Sequence, residues 1–240
     1  VLLIGDGVNS YEAGEVWHLL DTRVHMPVTK LQLKNLRRAS LDKYNTMVIV
    51  SGNYSLLDSL QKIKIKNWTE KGNTLITIGT ASKGIIDMKL VKETIVKPEK
   101  GTEKIVRKPF SESFENIGRE QLGGAIFQID LDITHPLGFG YRSNLVPVYK
   151  NNKVFISPSK NAYSTVAKYT KNPHIDGFIS TKNLALLKQS ASLLVSKLGK
   201  GRVILFADNP NFRGAWYGTN RLFINGLFLG KQISVPKNIK

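Results

Sequence analysis

The chain has 240 residues, 41% of them hydrophobic and 22% charged, which is the make-up of a folded chain and excludes a disordered one. No apolar run approaches the roughly 18 residues of a membrane span, and with no cysteine there can be no disulfide framework, thiolate zinc site or cysteine nucleophile. The formal charge is +17, and its excess is uneven: residues 161–240 carry 12 Lys and Arg against only Asp176 and Asp208. These charges are scattered singly, without the aromatic interleaving of a nucleic-acid surface, so a solvated lysine-rich face is the plainer reading and polyanion binding the alternative.

Val1 opens directly on the strand-like Val1–Gly5, with no initiator Met or signal peptide, and the chain is read as a piece of a longer or processed protein. Asn9 followed by Glu12 makes a capping-box start for an amphipathic helix whose apolar side is Ala13, Val16, Trp17 and Leu20. A second strand falls within Val28–Leu33, and Met47–Val50 reads as a buried strand closed by Ser51-Gly52. Leu56 to Glu70 reads as a helix stopped by Lys71-Gly72, with Thr74–Ile78 as the next strand. Apolar strands alternating with helices predict a doubly wound, mostly parallel α/β sheet of flavodoxin type.

From 93 to 124 that rhythm fails. The polar stretch around Lys97-Pro98-Glu99-Lys100-Gly101 predicts a surface insertion within a single domain of residues 1–240. Ala125–Leu131 and Val154–Ile156 read as strands. Ala191–Leu198 and Arg202–Ala207, around Gly199-Lys200-Gly201, read as a hairpin. Thr219–Leu229, with Leu222, Phe223, Ile224, Leu227 and Phe228, predicts a buried helix.

Four places could carry chemistry. Gly5-Asp6-Gly7-Val8-Asn9-Ser10 between strand and helix partly matches a dinucleotide fingerprint, but no acid ends the second strand at Thr29-Lys30-Leu31-Gln32 to hold a ribose. A plain tight turn explains it better. With Gly52, Asn53 and Tyr54 at the end of the third strand, Gly5, Asp6 and Gly7 outline a vestigial crevice. Thr80-Ala81-Ser82-Lys83-Gly84 follows the fourth strand, where a nucleophile elbow would lie. Ser82 would need a base, for which His135 in Thr134-His135-Pro136 is the candidate; a capping serine and a turn histidine account for both more simply. Glu15 and His18 share a helix face, but no second such pair and no H-E-x-x-H occurs, so no metal site is expected. Asp208-Asn209-Pro210-Asn211-Phe212-Arg213-Gly214-Ala215-Trp216 is a polar-aromatic segment, read as a ligand loop or as a packed turn with Arg213 folded inward onto a carboxylate.

Three blocks, Gly5–Asp21, Asp132–Tyr141 and Gly199–Phe228, resemble the C-terminal domain of large secreted zinc carboxypeptidases of Bacteroidetes-type bacteria. In those proteins a carboxypeptidase A-like metallopeptidase precedes a domain of class I glutamine amidotransferase-like fold. The resemblance implies that fold here, a secreted, periplasmic or cell-surface location, and an N-terminal peptidase domain of the same polypeptide as partner. It is weakest in the lysine-rich insertion. The peptidase motif H-x-x-E is absent: three residues after His18, His25, His135 and His174 stand Asp21, Val28, Gly138 and Gly177. The amidotransferase nucleophile is a cysteine, and Ser82 or Ala81 stands near that place instead. A non-catalytic accessory domain without cofactor, metal or specific nucleic acid is therefore expected. A Ser82-dependent hydrolase or amidotransferase-like enzyme, or a polyanion- or glycan-binding module, is the alternative.

Overall fold

The computed structural model describes residues 1–97 and 107–236. Nine strands form one sheet: β1 (Leu2–Ile4), β2 (Lys30–Gln32), β3 (Thr46–Ile49), β4 (Thr74–Ile78), β5 (Ala125–Leu131), β6 (Leu145–Lys150), β7 (Thr165–Gly177), β8 (Ala191–Leu198) and β9 (Gly201–Phe206). Their order is β2-β1-β3-β4-β9-β8-β7-β5-β6. The first five in that order run parallel, the order of a doubly wound sheet. The last four are joined to them antiparallel. The expected α/β class holds, extended by an antiparallel wing.

Helices cover both faces. On one side α1 (Ser10–His18) and α6 (Tyr217–Leu229) bury Val16, Leu222 and Phe223 against Leu2, Val48, Ile76 and Ile204. On the other, α2 (Ser59–Glu70) and α3 (Thr80–Asp87) bury Ile65, Trp68, Ala81 and Ile85 against Leu3, Met47, Leu75 and Leu205. Successive side chains of a strand point to opposite faces, so Leu75 and Ile76 serve different layers. The α2 start is a full capping box between Asp58 and Gln61, which places the helix three residues past the expected Leu56; Leu56 instead ends a separate 3₁₀ turn, Tyr54–Leu56. The expected hairpin is β8 and β9, turned at Gly199 (φ +60°). There a Cβ would press on the Glu70 backbone.

Three expectations need correction. Val154–Ile156 is no strand; Ile156 makes only isolated bridges to Ile95 and Ala191. The α6 helix is not buried all round, because Phe228 lies 54% exposed on its outer side. The surface insertion also proves tighter than 93–124. Val96 N–H donates to Phe155 O (2.8 Å) and the Glu93 carboxylate accepts from Ser159 Oγ (3.1 Å), while Leu122 is a core residue. Among the described residues of this stretch, α4 (Ser113–Arg119) and the 3₁₀ turn Phe110–Glu112 before it bury no side chain. Most of the polar Lys97–Lys104 stretch lies outside the described residues.

β6 and β7 went unseen in the sequence. β6 carries Pro147, which a sheet tolerates at its edge, and β6 is the edge. β7 is irregular, with register shifts against both neighbours and a polar second half.

Because Leu122 closes the core beneath the insertion, Leu122→Ala is expected to lower unfolding free energy by about 2–5 kcal/mol. Urea denaturation checks this; a surface residue would give almost no change.

Candidate functional site

In sheets of this kind ligands bind outside the carboxyl ends of the parallel strands, where the strand order reverses. Here that place lies between β1 and β3, and the chain closes it with its own backbone. Asn53 N–H donates to Gly7 O (2.7 Å), Asn9 N–H to Ser51 O (2.8 Å), and Val8 bridges to Gly52. A Cβ on Gly52 would overlap Gly7 O. Gly5 (φ +101°) and Gly7 (φ +84°) make the tight turn that allows this approach. Thus the Gly5–Gly7 turn lies against Gly52 and Asn53 and closes the gap between β1 and β3, while a cavity of about 510 Å³ lined by Gly52, Asn53, Tyr54, Thr80 and Lys83 stays open beside α2 and α3. Tyr54 is buried beside them and its hydroxyl donates to Val50 O. Burial, and secondarily the Glu12 charge, push its phenol well above the ordinary value.

The strand-to-helix elbow lies between β4 and α3, and its residue is Gly79, at φ +58° and ψ −125°. This corrects the assignment of the elbow to Ala81 or Ser82. A nucleophile elbow holds its reactive side chain on such a strained turn; Gly79 keeps the turn and offers no side chain. A Cβ there would overlap Ser51 Oγ, which accepts the Thr80 N–H (3.1 Å). Ser82 lies one turn further on, fully buried, its hydroxyl 2.8 Å from both Thr77 Oγ1 and Phe206 O. The proposed partner is on the other layer. His135 caps the 3₁₀ turn Pro136–Gly138 by accepting the Leu137 N–H at Nδ1 (3.1 Å), and Leu137 packs in the α1–α6 layer whereas Ala81 packs in the α2–α3 layer. Burial lowers the imidazole pKa, partly offset by Asp132. The pair Ser82–His135 does not form.

Around the elbow the strand ends are tied by buried polar groups that the sequence reading missed. Asn9 caps α1 by accepting the Glu12 N–H (3.1 Å), yet the Glu12 side chain does not return to Asn9. It accepts the Ser51 N–H (2.8 Å) instead, joining α1 to the end of β3. Glu15, expected on a solvated face with His18, accepts Asn209 Nδ2 (2.6 Å) and the Arg213 N–H (2.6 Å), joining α1 to the segment after β9. His18 does lie exposed. Gly52 N–H donates to Thr80 Oγ1 (3.0 Å), and Gly79 N–H to Phe206 O (2.9 Å).

The centre of this net is Lys150, at the end of β6 and with no exposed surface. Its ammonium donates to Val154 O and Ala207 O (both 2.9 Å) and to Asn152 Oδ1 (3.2 Å), and it pairs with the Asp208 carboxylate at 3.3 Å. Asp208 also accepts the hydroxyls of Tyr169 and Ser192. Burial lowers the lysine pKa and Asp208 opposes it; burial and then Asp208 raise the Tyr169 phenol. The signal for Lys150 was present: Val146, Val148 and Lys150 alternate on one strand face, and that face is buried.

The polar-aromatic loop is a packed turn for most of its length. Asn209 and Asn211 are buried; Asn209 Oδ1 accepts the Asn211 N–H (3.0 Å), while both polar side-chain atoms of Asn211 lack partners. Trp216 donates from Nε1 to Pro147 O (3.3 Å). Arg213 departs from expectation: its backbone N–H, not its guanidinium, reaches Glu15, and the side chain is exposed. Its φ is +51°, in the left-handed region. Among the described residues no three His, Asp or Glu side chains gather to hold a metal, and no helix is long and apolar enough to cross a membrane.

No protein-family model matches the sequence, and no curated protein matches it. Solved structures do resemble the chain. A chain of PurLQS from Thermotoga maritima is 13% identical with a TM-score of 0.60, covering 94% of this chain and 95% of that one. A ThuA-like protein from Parabacteroides merdae is 12% identical at 0.61, covering 99% and 91%. A GMP synthase subunit from Thermoplasma acidophilum is 11% identical at 0.57, covering 93% and 89%. Such low identities speak to fold alone, and the fold is glutamine amidotransferase-like.

Two measurements probe the net. Lys150→Met leaves the buried Asp208 carboxylate without its cation and takes a donor from Val154 O and Ala207 O, so a loss of about 3–5 kcal/mol in denaturant unfolding is expected. Lys83→Met, which breaks the exposed Lys83–Asp87 pair, should cost no more than about 1 kcal/mol. For Glu12, burial raises the carboxyl pKa, with the Ser51 contacts pulling it back. A raised folded-state pKa contributes stability that is complete below the ordinary 4.5 and is lost as pH climbs through the raised value. Thermal melts of Glu12→Gln from about pH 4 to about pH 8 should therefore decline less with rising pH than those of the unaltered chain.

Proposed function

We propose that this chain is a non-catalytic accessory domain, built on the amidotransferase-like fold, of a secreted zinc carboxypeptidase, where it packs on or positions the peptidase domain. The observation that carries the non-catalytic part is Gly79: the elbow turn is kept, but the place of a nucleophile's Cβ is taken up by Ser51 Oγ. The zipped crevice and the buried hydroxyl of Ser82 support the same reading. The link to the carboxypeptidase rests on the resemblance of Gly5–Asp21, Asp132–Tyr141 and Gly199–Phe228.

Support for a packing role comes from α4. Phe110, Phe114 and Ile117 are spaced four and three residues apart, as on one side of a helix, and are 84%, 80% and 58% exposed. Three large apolar side chains side by side in water are the usual mark of a surface that another protein covers.

The test begins with the reading frame that encodes Val1: a preceding segment with H-x-x-E and a distant third His is expected. Produced separately, that segment and this chain should associate, and Phe114→Asp should weaken the association about tenfold or more without lowering the chain's own melting temperature. Labelling of this chain by a fluorophosphonate, or an upstream segment lacking the zinc motif, would overturn the reading.

A further inference from the structure

A cavity of about 410 Å³ lies between the end of α1 and α6, in the α1–α6 layer and away from the zipped crevice. After His18 the helix continues as a π-helical turn, Leu19–Arg23, whose Val24 N–H donates back to Leu19 O (3.2 Å). Wide turns of this kind are uncommon and concentrate at functional sites. This one sets Arg23 at the cavity, its guanidinium 4.1 Å from the centre of the Tyr217 ring. From α6 comes Arg221, which donates one Nη1 hydrogen bond to Gly140 O (2.7 Å). Two arginines thus line one cavity. No Asp or Glu lines it, and among the described residues neither arginine has a carboxylate within 4.0 Å.

Two further features narrow the ligand. Phe139, 70% exposed, and Ile224 form an apolar wall. Asn220, in the same lining, is buried (5% exposed), and its Oδ1 has no hydrogen-bond partner. A buried acceptor left unpaired is costly, and the terminal torsion of an asparagine is soft enough to swing its amide toward a donor in the cavity. Guanidinium forks match carboxylates in shape and charge.

We propose that this cavity binds a small carboxylate with an apolar body and an adjacent N–H donor, the chemistry of an N-acylated apolar α-amino acid. Its carboxylate lies against Arg23 and Arg221, its N–H meets the Asn220 amide oxygen, and its side chain lies on Phe139 and Ile224. This assignment does not depend on the accessory-domain reading.

The probe is N-acetyl-L-phenylalanine, titrated calorimetrically into the whole chain beside its neutral carboxamide and inorganic phosphate. The acid is expected to bind at least about tenfold more tightly than the carboxamide and than phosphate. Arg23→Gln and Arg221→Gln should each weaken the acid about tenfold while leaving the carboxamide unchanged. Arg23 is exposed, so its replacement keeps the test valid even if Arg221→Gln disturbs the Gly140 turn. Equal binding of acid and carboxamide, phosphate binding as tight as the acid, acid binding that survives both replacements, or no heat from the acid up to about 10 mM would each overturn the assignment.

Discussion

An ammonium group sealed from water organises the functional end of this sheet. Lys150 belongs to the edge strand β6, yet its side chain reaches across to Ala207 and Asp208 beyond the end of β9, near the middle of the sheet. A charge in that position is tolerable only if every hydrogen finds an acceptor and the charge finds a partner. Val154, Ala207, Asn152 and Asp208 supply them. In turn the pair fixes where the chain after β9 runs, so Asn209 meets Glu15 and α1 is held against the strand ends. The antiparallel wing is thereby tied to the parallel half at the place where a doubly wound fold usually keeps its chemistry.

The same end shows how the strand ends of this fold are tied to one another. An open crevice leaves polar backbone groups for a ligand; here the groups are spent on one another. Gly7 and Asn53, Asn9 and Ser51, Gly52 and Thr80, and Gly79 and Phe206 are paired within the chain. Glycine at positions 52 and 79 permits the approach, because a side chain there would collide with Gly7 O and Ser51 Oγ respectively. Closure of this kind holds α1, β3 and the segment after β9 in one fixed arrangement.

Much of the parallel half could be read from the sequence because its strands are short apolar runs between capped helices, as at Met47–Val50 and Thr74–Ile78. The antiparallel wing was harder. β6 contains a proline and a lysine, and β7 interrupts its alternation with bulges, so neither shows a clean period of two. Within the site, the residues gathered by chain order were legible: Gly5 to Gly7, Gly52, and Asp208 to Asn211. The contacts between distant segments were not. Glu12 looked like half of a capping box, and only the fold reveals that its carboxylate is taken by Ser51. Ser82 has the chemistry expected of a nucleophile, but the elbow falls at Gly79 three residues before it, where the backbone conformation, invisible in sequence, decides the role.

The proline in β6 has a consequence for how these molecules meet one another. A sheet of nine strands ends in two edges, each a template for a neighbour's strand. At one edge β2 is only three residues long, which gives a second molecule little to grip. At the other, Pro147 has no N–H to offer, and its carbonyl is already taken by Trp216. A strand arriving from another copy would find the ladder broken in mid-strand. Side-by-side growth into filaments through added strands is therefore discouraged at both edges of the sheet.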